Sequence, residues 1–493
     1  MTNNRLYQHS LALLTDLYQL TMAYGYWKLG TAEREAVFHL HFRKNPFQSG
    51  FTVACGLNAA IDYLKNQRFT EEDVAYLATL TGNDGKPLFE QGFYDYLLKM
   101  KYDCDIDAIP EGTVVFANEP LVRVKGSLIQ CQILETPLLN MINFQTLIAT
   151  KAARVCLAAQ GDPVIEFGLR RAQGIDGGLA ASRAAYVGGC SATSNVLAGK
   201  LYGIPCKGTH AHSWVMSFDT EPEAFEQYAK AMPNNCVFLV DTYDTLEGVR
   251  NAVEMGKKLR ASGHEMVGIR LDSGDLNYLS VEARKILDAG GFPKAAIVAS
   301  NDLDEHIITS LKQQGAKISI WGIGTHMVTA YDQPALGGVY KLAAIREGNG
   351  EWQHKVKLSE QAIKVSTPGI QQVRRFVETV DGQAQFMADM IYDELLGVEN
   401  DAIMVDPADL TRRKKFSAQF SHEDLLKPIF RAGKCVYTEP TLAETRQRAQ
   451  QQLQCFHSGV KRFVNPHKYP VGLEQNLHEL KTKLILQARG VPA

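Results

Sequence analysis

The 493-residue sequence predicts an α/β protein, an irregular α/β barrel of parallel strands carrying a mixed α+β N-terminal domain. Three observations point there. Short apolar runs rich in β-branched residues recur through the middle of the chain, roughly every 20–30 residues in its later part. Helical patterns fill most of the gaps. Most runs stop at a polar residue or a glycine. Near-continuous apolar strands alternating with helices are buried parallel strands in βα units, and in a barrel their C-terminal ends share one rim, where residues distant in sequence converge.

Residues 1–145 mix helix and strand patterns without regular alternation, and Val114–Phe116 and Leu121–Val124 read as short strands between Gly and Pro turns. The rhythm then begins, with runs at Val164–Phe167, Val237–Val240, Met266–Ile269, Ala296–Ala299, Ile318–Trp321 and Val339–Leu342. Between the second and third runs, Leu246, Val249, Ala252 and Val253 mark one face of a helix that Asp244 and Glu247 open as a capping box. From about residue 351 the alternation fades, leaving Thr441 and Glu444 to open a polar amphipathic helix. The expected division is 1–145, a barrel over 146–350, and an accessory segment over 351–493 packing on both.

Bulk properties narrow the function. The 52 basic and 54 acidic residues leave a net charge of −2, so no general pull toward nucleic acid or an anionic membrane follows. Nine cysteines are scattered without a C-x-x-C pair, which predicts reduced thiols in a cytoplasmic protein. The apolar run at the start, Leu11–Leu14, ends at a charge too soon for a signal peptide, and no run is long enough to span a bilayer. There is no Walker A pattern, and the acidic pair with a Thr-Gly loop that many phosphoribosyltransferases use for pyrophosphate is missing.

Four segments carry chemistry. Gly322, Gly324 and Thr325 follow a strand and can offer backbone N–H groups to a phosphate, although such a glycine pair also simply makes a tight turn. His210 and His212, spaced i and i+2, fall on one side if the strand is extended, which allows a metal pair with Asp272, a structural histidine, or a catalytic His212. Arg270 and Asp272 share one face of a strand end, suiting phosphate and ribose hydroxyls or a rim salt bridge. Phe167 and Arg170 offer a stacking face and a two-point carboxylate partner, against the plainer reading of Phe167 as core.

Taken with Leu13–Met22 and Phe42–Phe47, the segments EFGLRRAQG at 166–174, GTHAH at 208–212, VDTYD at 240–244, RLDSG at 270–274 and IWGIGT at 320–325 resemble, in order and spacing over about residues 11–375, the nicotinate phosphoribosyltransferases. The resemblance implies the type II phosphoribosyltransferase fold, usually as a homodimer with shared active sites. It implies synthesis of nicotinate mononucleotide from nicotinate and phosphoribosyl pyrophosphate in NAD salvage, with ATP as co-substrate, Mg²⁺ as cofactor and a transient phosphohistidine. By motif matching that histidine is His212, with Asp241 beside it and Asp272 completing the catalytic set. Tyr18 of the partner chain and Phe167 would sandwich the pyridine ring, and Arg170 would face its carboxylate. Arg270 would lie at the ribose phosphate, and Ser300, Asn301, Gly324 and Thr325 would cradle the 5′-phosphate. Asn195 stands where the nicotinamide-specific relatives carry an aspartate, which favours the acid over the amide. No metal is expected on protein side chains alone. The alternatives are a nicotinamide phosphoribosyltransferase and, more remotely, a metal-dependent amidohydrolase barrel.

Overall fold

The computed structural model describes residues 11–361, 364–399, 401–417 and 419–491. The chain divides into two compact units, residues 148–334 and a discontinuous unit of 1–147 with 335–493.

The continuous unit holds six strands, β1 (Val164–Glu166), β2 (Ala192–Thr193), β3 (Val237–Leu239), β4 (Gly268–Leu271), β5 (Ala296–Ala299) and β6 (Ile320–Ile323). They form one sheet in the order β2-β1-β6-β5-β4-β3, with every pairing parallel. The residues are those expected of strands buried on both faces: Ile269, Ile297, Ala299, Trp321 and Ile323 are fully buried. The two edges are joined irregularly. Thr193 of β2 bridges in parallel to Cys206, exchanging bonds with Pro205 and Lys207 at 3.0 Å each. A few residues on, the Leu239 N–H of β3 donates to His210 Nε2 at 3.2 Å, a side chain standing in for a ladder partner. This is the irregular parallel barrel.

Five of the mid-chain runs are strands of this sheet, with two starting two residues later than the apolar pattern. Met266 and Ile318 are buried, but they lead in before the ladder begins. The helix Thr245–Ala261 is capped by Asp244, whose carboxylate accepts the Glu247 N–H at 2.8 Å; the reciprocal half of the box does not form.

The sixth run is a correction. Gly338–Arg346 pairs antiparallel with Glu35–Phe42 and belongs to the discontinuous unit, so the barrel ends near 334 and not at 350. That unit carries a seven-stranded sheet in which Gly338–Arg346, Glu35–Phe42, Val122–Ser127, Asp105–Ala108 and Lys427–Arg431 are successive neighbours. A six-stranded sheet is built from residues 371–474, including Gln371–Val380 against Gln383–Asp393. The segment after 351 is therefore largely β. Its two long helices, Leu442–Gln454 and Gln475–Ala488, come last, and Thr441 with Glu444 forms the expected capping box.

Candidate active site

The parallel strands deliver side chains to their C-terminal ends. Arg270, on β4, is the hub. Its Nε donates to Ser300 Oγ at 2.8 Å, one terminal nitrogen to Thr209 Oγ1 at 3.1 Å, and the other to Asp272 Oδ1 at 2.9 Å. Ser300 in turn donates to Asp272 Oδ1, closing a knot across β4, β5 and the 205–210 segment. Burial alone would raise the Asp272 carboxyl, but the Ser300 hydroxyl and the Arg270 guanidinium outweigh it and hold the group below its ordinary range.

His212 begins the short helix His212–Met216 and is open to solvent, with its side chain 39% exposed. Nδ1 lies 3.1 Å from Thr242 Oγ1, while Nε2 sits 3.9 Å from Asp241 and 3.8 Å from Asp272. Asp241 is sealed beneath it at 1% exposure. One of its oxygens accepts from the Asp272 N–H at 3.0 Å and the Ser273 hydroxyl at 2.6 Å. The other, Oδ1, is buried without a hydrogen-bond partner among the described residues and is the oxygen nearest His212.

His210 has a different environment. It is 7% exposed, packs on Tyr228 with ring centres 4.8 Å apart, and accepts the β3 N–H described above. Burial holds its pKa down at about 4, so the ring is neutral and structural. The two histidines do not share a side of an extended strand, because His212 has already turned into a helix, and the metal-pair reading falls with that.

The aromatic wall is in place. Phe167 continues the β1 ladder through its N–H to Ile323 O at 2.8 Å, and the Arg270 guanidinium lies 5.7 Å from its ring centre. Position 322 must be glycine for this, since a Cβ there would meet the Phe167 ring at 2.7 Å. Arg170 lies three residues on, exposed and without an ion pair among the described residues. Beyond β5, Asn301 and Asp302 adopt φ of 99° and 30°. Two consecutive non-glycine residues in that region cost about 1–3 kcal/mol each, a strain typical of ligand-binding loops. Gly324 caps the four-residue helix Thr325–Val328.

Asn195 belongs to a buried hydrogen-bond network. It is 1% exposed, its carbonyl oxygen caps the helix Val196–Tyr202 through the Ala198 N–H at 3.2 Å, and its amide donates to Ser182 at 3.1 Å. Ser182 and Thr193 both donate to buried Glu166, and Asn195 supports that buried network through Ser182. Tyr18 lies on the helix Leu17–Lys28 of the discontinuous unit, 48% exposed.

Sequence reasoning missed Thr209, Thr242 and Ser273, which hold Arg270, His212 and Asp241 respectively. Each sits inside a motif already singled out, and the signal was a hydroxyl one or two residues from a charged group. Among the described residues, Asp304, His326 and Asp332 could converge on a metal ion, but the Lys151 ammonium already donates to Asp332 there.

Comparison with known proteins places this arrangement. A model for the nicotinate phosphoribosyltransferase (NAPRTase) family matches residues 164–367, between matches to the family's N-terminal domain at 13–143 and C-terminal domain at 370–481. The chain belongs to the nicotinate phosphoribosyltransferase family. The nicotinate phosphoribosyltransferase of Bacillus subtilis (strain 168) is 43% identical over 484 residues, covering 96% of this chain and 97% of that protein. The Homo sapiens nicotinate phosphoribosyltransferase is 34% identical, covering 96% of each. The crystal structure of human nicotinic acid phosphoribosyltransferase superposes with a TM-score of 0.83 at 33% identity, over 95% of this chain and 99% of that one. A nicotinate-nucleotide pyrophosphorylase from Pyrococcus furiosus shares the fold at a TM-score of 0.65 and 21% identity. The family is thus visible in both units.

Proposed function

We propose that this chain joins nicotinate to phosphoribosyl pyrophosphate in NAD salvage, and that ATP drives the reaction through phosphorylation of His212. The observation that carries the reading is the rim itself: Arg270 tied to Asp272, Ser300 and Thr209, with His212 open beside two carboxylates.

In the transfer, the pyridine nitrogen forms a bond to the ribose C1′ as the C1′–O bond to pyrophosphate breaks, and pyrophosphate leaves with the electron pair. Positive charge builds on the ribose in between, so the Asp272 carboxylate lowers the barrier electrostatically. Phe167 provides the stacking face, and Arg170, with no competing ion pair among the described residues, can grip the nicotinate carboxylate. Ser300, Asn301, Gly324 and Thr325 hold the 5′-phosphate by hydroxyls and loop N–H groups. The four-residue helix after Gly324 is too short to add much dipole. Tyr18 from a second chain closes the ring site, making the active unit a homodimer.

In the coupling, a His212 ring nitrogen attacks the γ-phosphorus of ATP and ADP departs. Two carboxylates beside Nε2 favour the proton there and leave the lone pair on Nδ1, where the Thr242 hydroxyl meets it. The donor set suits Mg²⁺, since Asp241 Oδ1 has no hydrogen-bond partner among the described residues and Asp272 stays ionised. When bound with phosphate oxygens, the ion would neutralise charge on the pyrophosphate.

The test is product formation from labelled nicotinate and labelled nicotinamide, each with phosphoribosyl pyrophosphate, with and without ATP. Nicotinate is the expected acceptor, with ATP raising the yield. Nicotinamide used as well as nicotinate would move the chain to the amide-specific reaction.

A further inference from the structure

A cavity of about 850 Å³ lies within the discontinuous unit and shares no wall with the rim residues. Its volume is that of a site for a small organic ligand. Much of the wall is apolar: Phe116, Ile391, Leu473 and Ile485 all line it. Its ionisable groups are mostly basic. Lys481 reaches in from the helix Gln475–Ala488, and His41 and His478 flank it.

Lys481 has one hydrogen-bond acceptor among the described residues, Thr367 Oγ1 at 3.0 Å, and no carboxylate. Burial draws its pKa down to about 8, which leaves it mostly protonated at neutral pH. Burial also lowers both imidazoles, His41 to about 4, and the Lys481 charge adds to that lowering at each. They are therefore neutral hydrogen-bonding groups beside the Lys481 ammonium, and Lys468 and Arg489 add further positive charge to the wall. Of the two carboxylates on the wall, Asp406 lies 3.6 Å from Lys468 and accepts the Ala408 N–H at 2.9 Å, and Glu360 is exposed. A half-buried ammonium without a counter-ion is costly, and a bound anion offsets that cost.

We propose that this cavity binds an amphipathic organic anion, with its carboxylate or phosphate head on Lys481 and its apolar body along Phe116, Ile391, Leu473 and Ile485. A cation is disfavoured by Lys481, and a wholly polar ligand would leave the apolar wall unfilled. The site is independent of the rim chemistry, so its test stands apart from any assay of nucleotide synthesis.

The experiment is isothermal titration of the full-length protein at pH 7 with decanoate and with decyl phosphate, using decanol and decylamine as controls. At least one anion should bind saturably with one site per chain, and the tighter of the two identifies the head group. Lys481→Met should weaken that binding tenfold or more, while Lys481→Arg should keep it within a few-fold. Because Lys481→Met alters the wall itself, Ile485→Trp provides a second variant: it fills the apolar part without touching the ammonium and should weaken binding as strongly. The proposal is overturned if neither anion binds saturably, if decanol or decylamine binds as tightly as the anions, or if Lys481→Met binds like the wild type.

Discussion

Two arginine–aspartate pairs of the same chemistry sit in different surroundings. At the barrel rim, Arg270 and Asp272 are 15% and 24% exposed; Arg270 otherwise bonds the hydroxyls of Ser300 and Thr209, and the Asp272 carboxylate accepts from Ser300 with His212 Nε2 3.8 Å away. In the six-stranded sheet, Arg375 and Asp389 are 1% and 0% exposed. Arg375 also bonds Gln452 at 2.8 Å and Val114 O at 2.7 Å, and Tyr469 donates to Asp389 at 3.0 Å. The sealed pair has no room for a ligand and does structural work. The half-open pair has its charges fixed by neighbours yet reachable, which is what the proposed binding of a phosphorylated sugar requires. The same contrast separates His210, buried and neutral, from His212, open beside carboxylates.

Replacing each arginine by methionine is the direct way to break the comparison. Arg375→Met should lose about 3–5 kcal/mol of stability, because Asp389 is left as a buried unpaired charge. Denaturant unfolding measures it; a loss below 1 kcal/mol would show that the sealed pair is not structural. Arg270→Met should instead lose activity, about 10²–10³-fold in kcat/KM for phosphoribosyl pyrophosphate, with little change in the unfolding midpoint. If Arg270→Met unfolds the protein as Arg375→Met does, the distinction between the pairs fails.

Arg170→Lys sharpens the account on the acceptor side. Lysine keeps the charge but cannot make a planar two-point contact, so nicotinate binding should weaken by about 1.5–3 kcal/mol. The KM for nicotinate should rise while that for phosphoribosyl pyrophosphate stays near wild type; the reverse pattern would remove Arg170 from the pyridine site.

The smallest effect concerns acid. His210 has a folded pKa of about 4, below its ordinary value near 6.5. The unfolded chain therefore takes up a proton that the folded chain refuses, and stability falls as pH drops from about 6.5 toward 4. His41 contributes in the same direction. His210→Gln should reduce, without abolishing, the fall in thermal midpoint between pH 7 and pH 5. An unchanged fall would mean that His210 is not held neutral.

The two units also differ in how far the sequence reveals them. The barrel is built from contiguous βα units, so the apolar runs at Val237, Ala296 and Ile320 could be read locally. Gly338–Arg346 looked like one more such run, because a strand's pattern records burial and not which sheet it joins. The six-stranded sheet was missed because its strands carry buried charges such as Arg375 and Asp389, which break the apolar pattern. At the site, charged residues at strand ends were legible, and Arg270, Asp272, Asp241 and His212 do converge. The capping role of Asn195 was not, since a helix cap and a ligand contact use the same side chain and the sequence does not choose between them. The hydroxyls of Thr209, Thr242 and Ser273 were equally hidden, because their role depends on which strands become neighbours.

The central claim is that chemistry belongs to the half-open rim groups and architecture to their sealed counterparts, and the two histidines test it most directly. Wild-type protein, His212→Asn and His210→Asn are each incubated with γ-labelled ATP, and acid-labile protein-bound label is counted. The account predicts label in wild type and in His210→Asn, at a yield set by how well the latter folds, and none in His212→Asn. Label that persists in His212→Asn and vanishes in His210→Asn would contradict it.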